Sequence, residues 1–123
     1  MYRYRNEHHT TQGAIKNFHR INKLGRILRV KGYRFTSARK NTGYVPVQHE
    51  CVLVVGENGT ARFSGLCWGY GGEGPRGLAA LMRYIGAPGF AQLVSQSPRL
   101  DRDGTDWEIT FNNDCGSLRR LAA

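Results

Sequence analysis

The stretch VPVQHECVLVVGENGTARFSGLCW, residues 45–68, carries the strongest local signal in the chain. Two apolar-rich runs flank Gly56-Glu57-Asn58-Gly59, and Asn-Gly is the favoured central pair of a two-residue type I′ turn. The stretch therefore predicts a β-hairpin turning at Asn58-Gly59. In that register Val54 faces Phe63 and Val52 faces Gly65 on one side, while Cys51–Leu66 and Leu53–Ser64 pair on the other. Pro46 marks the start of the first strand or an edge position.

The segments around the hairpin extend the sheet. In ILRVKGYRFT (residues 27–36) Leu28 and Val30 alternate with Arg29 and Lys31. After Gly32 the apolar residues are Tyr33 and Phe35, against Arg34. A strand with a bulge at Gly32 explains the change of phase. In TDWEITF (residues 105–111) Trp107, Ile109 and Phe111 alternate with Asp106, Glu108 and Thr110, which predicts a last strand.

Helices are expected in between. Residues 11–25 place Ala14, Phe18, Ile21 and Leu24 on one side and Lys16, His19, Arg20 and Lys23 on the other. Thr10 or Thr11 can cap this helix and Gly25 can end it. Residues 75–86 form a second helix with a stripe of Leu78, Leu81, Met82 and Ile85, opened by Pro75 and closed by Gly86. Residues 87–98 suggest a short third helix through Phe90, Leu93 and Val94. The fold class is α+β: a mostly antiparallel sheet of about four strands, with two or three helices on one face and a basic N-terminal arm. Residues 1–10 read as a flexible basic arm, 11–111 as a single α+β domain and 112–123 as a loose tail.

The chain has 123 residues, 40% of them hydrophobic, enough for one small domain with a single core. Its mean hydropathy is −0.50. No apolar run approaches the roughly 18–20 residues of a membrane span. The first residues, Met-Tyr-Arg-Tyr-Arg, lack the apolar stretch of a signal peptide, so a soluble protein of a bacterial cytoplasm is expected. Cys51, Cys67 and Cys115 form no zinc spacing and no disulfide framework, which suits reduced thiols. A Cys51–Cys67 pair on one hairpin stays open as an alternative.

Charge is the most informative property. The net charge is +9, and residues 1–40 hold eleven Lys/Arg against one acidic residue, Glu7. Residues 41–123 hold seven Lys/Arg against eight acidic residues. A basic segment joined to a nearly neutral body points to a polyanionic partner. The candidate nucleic-acid-binding residues are Arg3, Arg5, Lys16, Arg20, Lys23, Arg29, Lys31, Arg34, Arg39 and Lys40. Arg3 and Arg5 interleave with Tyr2 and Tyr4, a pattern that can pair phosphates and stack bases. The alternative is that these charges simply form a solvated surface.

The second candidate site is the glycine-rich corner of CWGYGGEGPRGLAALMRYIG (residues 67–86). A strand, a glycine loop and a helix in sequence allow backbone N–H groups to meet an anion. Trp68 and Tyr70 could stack on a base, Gly71, Gly72 and Gly74 allow close approach, and Arg76 could pair a phosphate. The loop is neither a Walker motif nor a dinucleotide fingerprint, and Glu73 opposes an anion. A tight packed corner is the competing reading.

The run WGYGGEGPRGLAALM resembles a pattern in small phage and plasmid proteins, Trp-Gly-Tyr-Gly-Gly-x-Gly-Pro followed by a Leu/Ala-rich helix. It covers about an eighth of the chain, implies a mobile-element origin and brings no established chemistry. Short length and bipartite charge are similar in style to phage counter-defence proteins, both anti-CRISPR inhibitors and signal-sequestering proteins.

Catalysis is not expected. His8 and His9 lie in the arm and His19 on the basic helix. His49 stands two residues from Cys51, with no orienting third group. Asp101, Asp103 and Asp106 lack calcium-loop spacing. No metal or cofactor is expected. The leading expectation is a non-enzymatic counter-defence protein that binds nucleic acid or a nucleoprotein such as a CRISPR complex. The alternatives are an oligomeric binder of a cyclic nucleotide or ADP-ribose-type signal at the glycine loop, and a self-associating phage structural or assembly protein.

Overall fold

The computed structural model describes residues 1–6, 10–38, 46–68, 72–91, 106–112 and 115–120; within these, the side chains of 34–38, 46–49, 112 and 115–120 lie outside the description. The hairpin forms from β3 (Pro46–Gly56) and β4 (Gly59–Ser64). Its register differs from the expected one by two residues: Cys51 pairs with Ser64, Val52 with Phe63, and Gly56 with Gly59. The turn residues are therefore Glu57 and Asn58, not Asn58 and Gly59. The cause is tertiary. Asn58 N–H donates to Leu24 O at 2.9 Å, Glu57 N–H donates to Arg26 O at 3.0 Å, and the Glu57 carboxylate accepts from Arg26 N–H at 3.1 Å. Gly59 is needed instead for contact, since a Cβ there would strike the Tyr2 backbone. A slip of two keeps every side chain on its face, so Val52, Val54 and Phe63 still point to the core.

Around the hairpin stands a six-stranded sheet in the order β1-β4-β3-β2-β5-β6. The other members are β1 (Tyr2–Arg5), β2 (Ile27–Ala38), β5 (Trp107–Asn112) and β6 (Cys115–Arg120). All neighbours are antiparallel except β1, which runs parallel to β4. The α+β class with a mostly antiparallel sheet holds, with six strands in place of about four. The two additions are corrections. Residues 2–5, expected in a flexible arm, are an edge strand, because Tyr2 and Tyr4 alternate inward against the core. Residues 115–120, expected in a loose tail, pair with β5.

No bulge occurs at Gly32. The β2–β3 register runs unbroken from Arg29 to Ala38, and its irregularity lies between Ile27 and Arg29. Gly32 is small for another reason. It pairs with Trp107 across the sheet, and a Cβ there would run into the indole. Trp107 meets Trp68 edge-on at 5.6 Å, and both are fully buried.

The first helix is shorter than expected. α1 (Thr11–Lys16) is capped by Thr10, whose hydroxyl accepts from Gly13 N–H at 3.0 Å. It stops at Asn17, whose side-chain amide donates to Gly13 O at 2.8 Å while its own N–H turns to Ala14 O. Such local bonding competes with the helix ladder. Residues Phe18–Leu24 continue as a 3₁₀ helix. With three residues per turn, Phe18, Ile21 and Leu24 stack on one side, and all three are buried. The apolar side expected of this segment is therefore kept. α2 (Glu73–Tyr84) buries Leu78, Leu81 and Met82, and Ile85 packs partly against the core. It ends where Ala87 N–H donates to Met82 O and Gly86 N–H to Arg83 O, with Gly86 at φ 83°, a Schellman motif. Of the expected third helix, a 3₁₀ turn at Pro88–Phe90 is present; residues 92–98 lie outside the described residues.

One buried cluster joins these helices to the inner sheet face: Val30, Val52, Val54, Ala61, Phe63, Trp107 and Ile109 meet the apolar sides of the helices. Phe63 sits at its centre, edge-on to Phe18 at 5.5 Å and tilted against Tyr4 at 5.8 Å. Among the described residues, no helix is long and apolar enough to cross a membrane.

Candidate polyanion-binding face

Strand alternation decides which side chains share the outer face of the sheet. Since Tyr2 and Tyr4 turn inward, Arg3 and Arg5 turn outward, and both are exposed. Since Ala61 and Phe63 are buried, Thr60 and Arg62 turn outward. The same rule puts Leu53 and Val55 of β3 and Arg29, Lys31 and Tyr33 of β2 on this face. Two cross-strand rows result. One reads Arg3, Thr60, Val55, Arg29, Thr110; the other reads Arg5, Arg62, Leu53, Lys31, Glu108.

Arg5 and Arg62 are register partners on adjacent strands, about 4.8 Å apart in backbone. Like charges placed so are mutually destabilising. Among the described residues, Arg3, Arg5 and Arg29 have no side-chain hydrogen bond or ion pair. Lys31 lies over the Tyr33 ring, 5.7 Å from its centroid. Among the described residues of these two rows, the acidic group is Glu108, which follows Lys31 and accepts from the Thr110 hydroxyl at 3.2 Å. Asp106 stands just ahead of β5. The face is thus most cationic at the β1–β4 edge. There Arg3, Arg5, Arg62, Thr60, Leu53 and Tyr33 surround a shallow depression of about 500 Å³. A lining that combines guanidinium groups with apolar and aromatic side chains suits an anion that carries a planar group.

The ten candidate cations do not share one surface. Arg3, Arg5, Arg29 and Lys31 lie on the outer sheet face. Lys16, Arg20 and Lys23 are exposed on the helical layer, across the sheet from them. Arg20 caps the inner side of the edge strand, 5.2 Å from the Tyr4 ring centroid. The side chain of Arg34 and all of Arg39 and Lys40 lie outside the description. Arg26 pairs with Glu57 at 3.8 Å in an exposed contact. The sequence reading misses Arg62, although the signal is present: Arg62 stands between the two inward residues Ala61 and Phe63.

The glycine-rich corner is built by packing. Trp68 is fully buried against Trp107 and has no open face on which a base could stack. A Cβ on Gly74 would strike the Cys67 sulfur, and one on Gly77 would press on Thr11 and Leu66. These glycines let α2 close onto α1 and the chain after β4. Gly72 precedes the helix with no side-chain cap, Glu73 occupies its first turn and Arg76 is exposed. Glu73 accepts from the Gln12 amide at 3.5 Å. Tyr70 and Gly71 lie outside the described residues.

No metal-ligating cluster of three or more groups occurs among the described residues. Cys51 and Cys67 are free thiols, and Cys51 approaches the Ser64 hydroxyl at 3.6 Å. His19 is exposed on the helical layer, and the His49 side chain lies outside the description. Comparison with protein families, with characterised proteins and with solved structures finds no match to this chain.

Proposed function

We propose that this chain is a non-catalytic binding protein whose outer sheet face engages the phosphates of a nucleic acid, bare or within a nucleoprotein. The observation that carries the reading is the pairing of Arg5 with Arg62 in register, beside Arg3 and in line with Lys31. Like-charged residues in register add nothing to the stability of a sheet, whereas a polyanion laid across the exposed Arg3 and Arg5 gains from their charge and releases counterions. The helices occupy the other face, and Arg3 and Arg5 are exposed on this one. In the mobile-element setting that the glycine-loop resemblance implies, the partner is a nucleoprotein of host defence, such as a CRISPR effector.

The test is a salt titration. Binding of a fluorescent oligonucleotide to the purified chain is followed by anisotropy. With about five cations engaged, affinity falls about a hundredfold or more between about 50 and 200 mM salt. Affinity unchanged over that range, or no binding at the lower salt, removes the reading.

A further inference from the structure

We infer that the outer face selects single-stranded over duplex nucleic acid, with one unstacked base against Tyr33 and the neighbouring phosphates on Arg3, Arg5 and Arg62. This rests on the polyanion reading above and names the form of its ligand. The argument starts from the depression at the β1–β4 edge, which is more than a cationic surface. Its guanidinium groups lie on β1 and β4. Leu53 and Tyr33, apolar and aromatic, lie one and two strands further in. A strand crossing the sheet from its edge meets the phosphate-pairing groups first and the aromatic ring next.

The Tyr33 ring is half-buried and lines the depression, and the Lys31 ammonium lies over it, 5.7 Å from the centroid. A base stacked there displaces the ammonium, which is then free to pair with the following phosphate. The recess distinguishes the two forms of nucleic acid. In a duplex the bases are stacked and paired, so the phosphates meet the arginines while Leu53 and Tyr33 meet no base. A single strand can splay one base into the recess, and stacking on an aromatic ring is tolerant of base identity. The expected ligand is therefore a single strand with little sequence preference, RNA or DNA.

The experiment uses the full chain and one fluorescent oligonucleotide of about twelve nucleotides, within the usual site size of single-strand binders, alone and annealed to its complement. The expected result is a single strand bound about tenfold more tightly, the scale of one stacked base. Tyr33→Leu keeps every charge and is expected to erase that preference while leaving the salt dependence as it was. A wild-type photo-crosslink to the same single strand is expected within residues 29–33, and this readout does not depend on the variant folding. Equal affinity for strand and duplex overturns the inference and leaves the polyanion reading standing, whereas crosslinks confined to residues 11–24 overturn both. Absence of salt-sensitive binding to either form overturns both.

Discussion

Asn6 and Ser64 exchange two hydrogen bonds: Ser64 N–H donates to the Asn6 side-chain oxygen at 2.8 Å, and the Asn6 side-chain amide donates to Ser64 O at 3.1 Å. Asn6 N–H also donates to Arg62 O at 3.2 Å. Asn6 is 2% exposed, so its amide acts as one more rung between β1 and β4. This is how a short basic segment becomes a strand. Four residues make a strand shorter than the common length, but Tyr2 and Tyr4 pack against the core on one side and Asn6 locks the end. The lock also fixes Arg3 and Arg5 beside Arg62.

Asn6→Ala leaves Ser64 N–H and C=O without these partners in a buried place. The expected loss is about 1–3 kcal/mol, read from chemical denaturation. Amides of residues 2–5 should exchange with deuterium much faster than in the wild type. Unchanged exchange there would mean that the tyrosines alone hold the strand.

Gly32 and Trp107 form a second dependent pair. Gly32→Ala pushes a methyl into the indole and should cost about 1–3 kcal/mol, the usual penalty of overpacking. The two tryptophans are both buried, so fluorescence reports the unfolding of this core directly. Combining Gly32→Ala with Trp107→Phe should recover part of the cost of the methyl, giving a measurable coupling in a double-mutant cycle. Strict additivity would show that the methyl is accommodated elsewhere.

The glycine-rich corner yields a separable prediction. Gly74→Ala drives a methyl against the Cys67 sulfur and should lower the melting temperature, with partial recovery on adding Cys67→Ala. Arg76→Ala, at an exposed position, should change stability by less than about 0.5 kcal/mol and leave oligonucleotide affinity within about twofold. A large loss of binding in Arg76→Ala would move the site to this corner.

Much of the architecture is legible in the residue pattern, for stated reasons. Val52, Val54, Phe63, Trp107 and Ile109 alternate strictly, and alternation fixes their face whatever the register. Phe18, Ile21 and Leu24 recur every three residues, which marks a buried side for either helix type. The hairpin register is not legible, because the Arg26–Glu57 and Leu24–Asn58 contacts that set it come from a distant corner of the fold. Gly32 looks like a bulge because its true constraint, the Trp107 indole, lies 75 residues away in sequence. The β1 strand is hidden because its partner β4 is remote and its lock is a single asparagine. The candidate site is legible in part: charge asymmetry points to the N-terminal cations, but only sheet topology separates Arg3 and Arg5 from Lys16 and Lys23 and adds Arg62.

That separation gives the most direct measurement. Two variants, each losing two positive charges, are compared by anisotropy across a salt series: Arg3→Ala with Arg5→Ala on the sheet face, and Lys16→Ala with Lys23→Ala on the helical layer. Net charge is the same in both, so general attraction cannot tell them apart. The sheet-face pair should flatten the slope of log affinity against log salt by about 1.4–1.8, the share of two phosphate contacts, and the helical pair should leave it close to wild type. Equal slopes for the two variants, or a larger change in the helical pair, would contradict the assignment of the binding surface to the sheet.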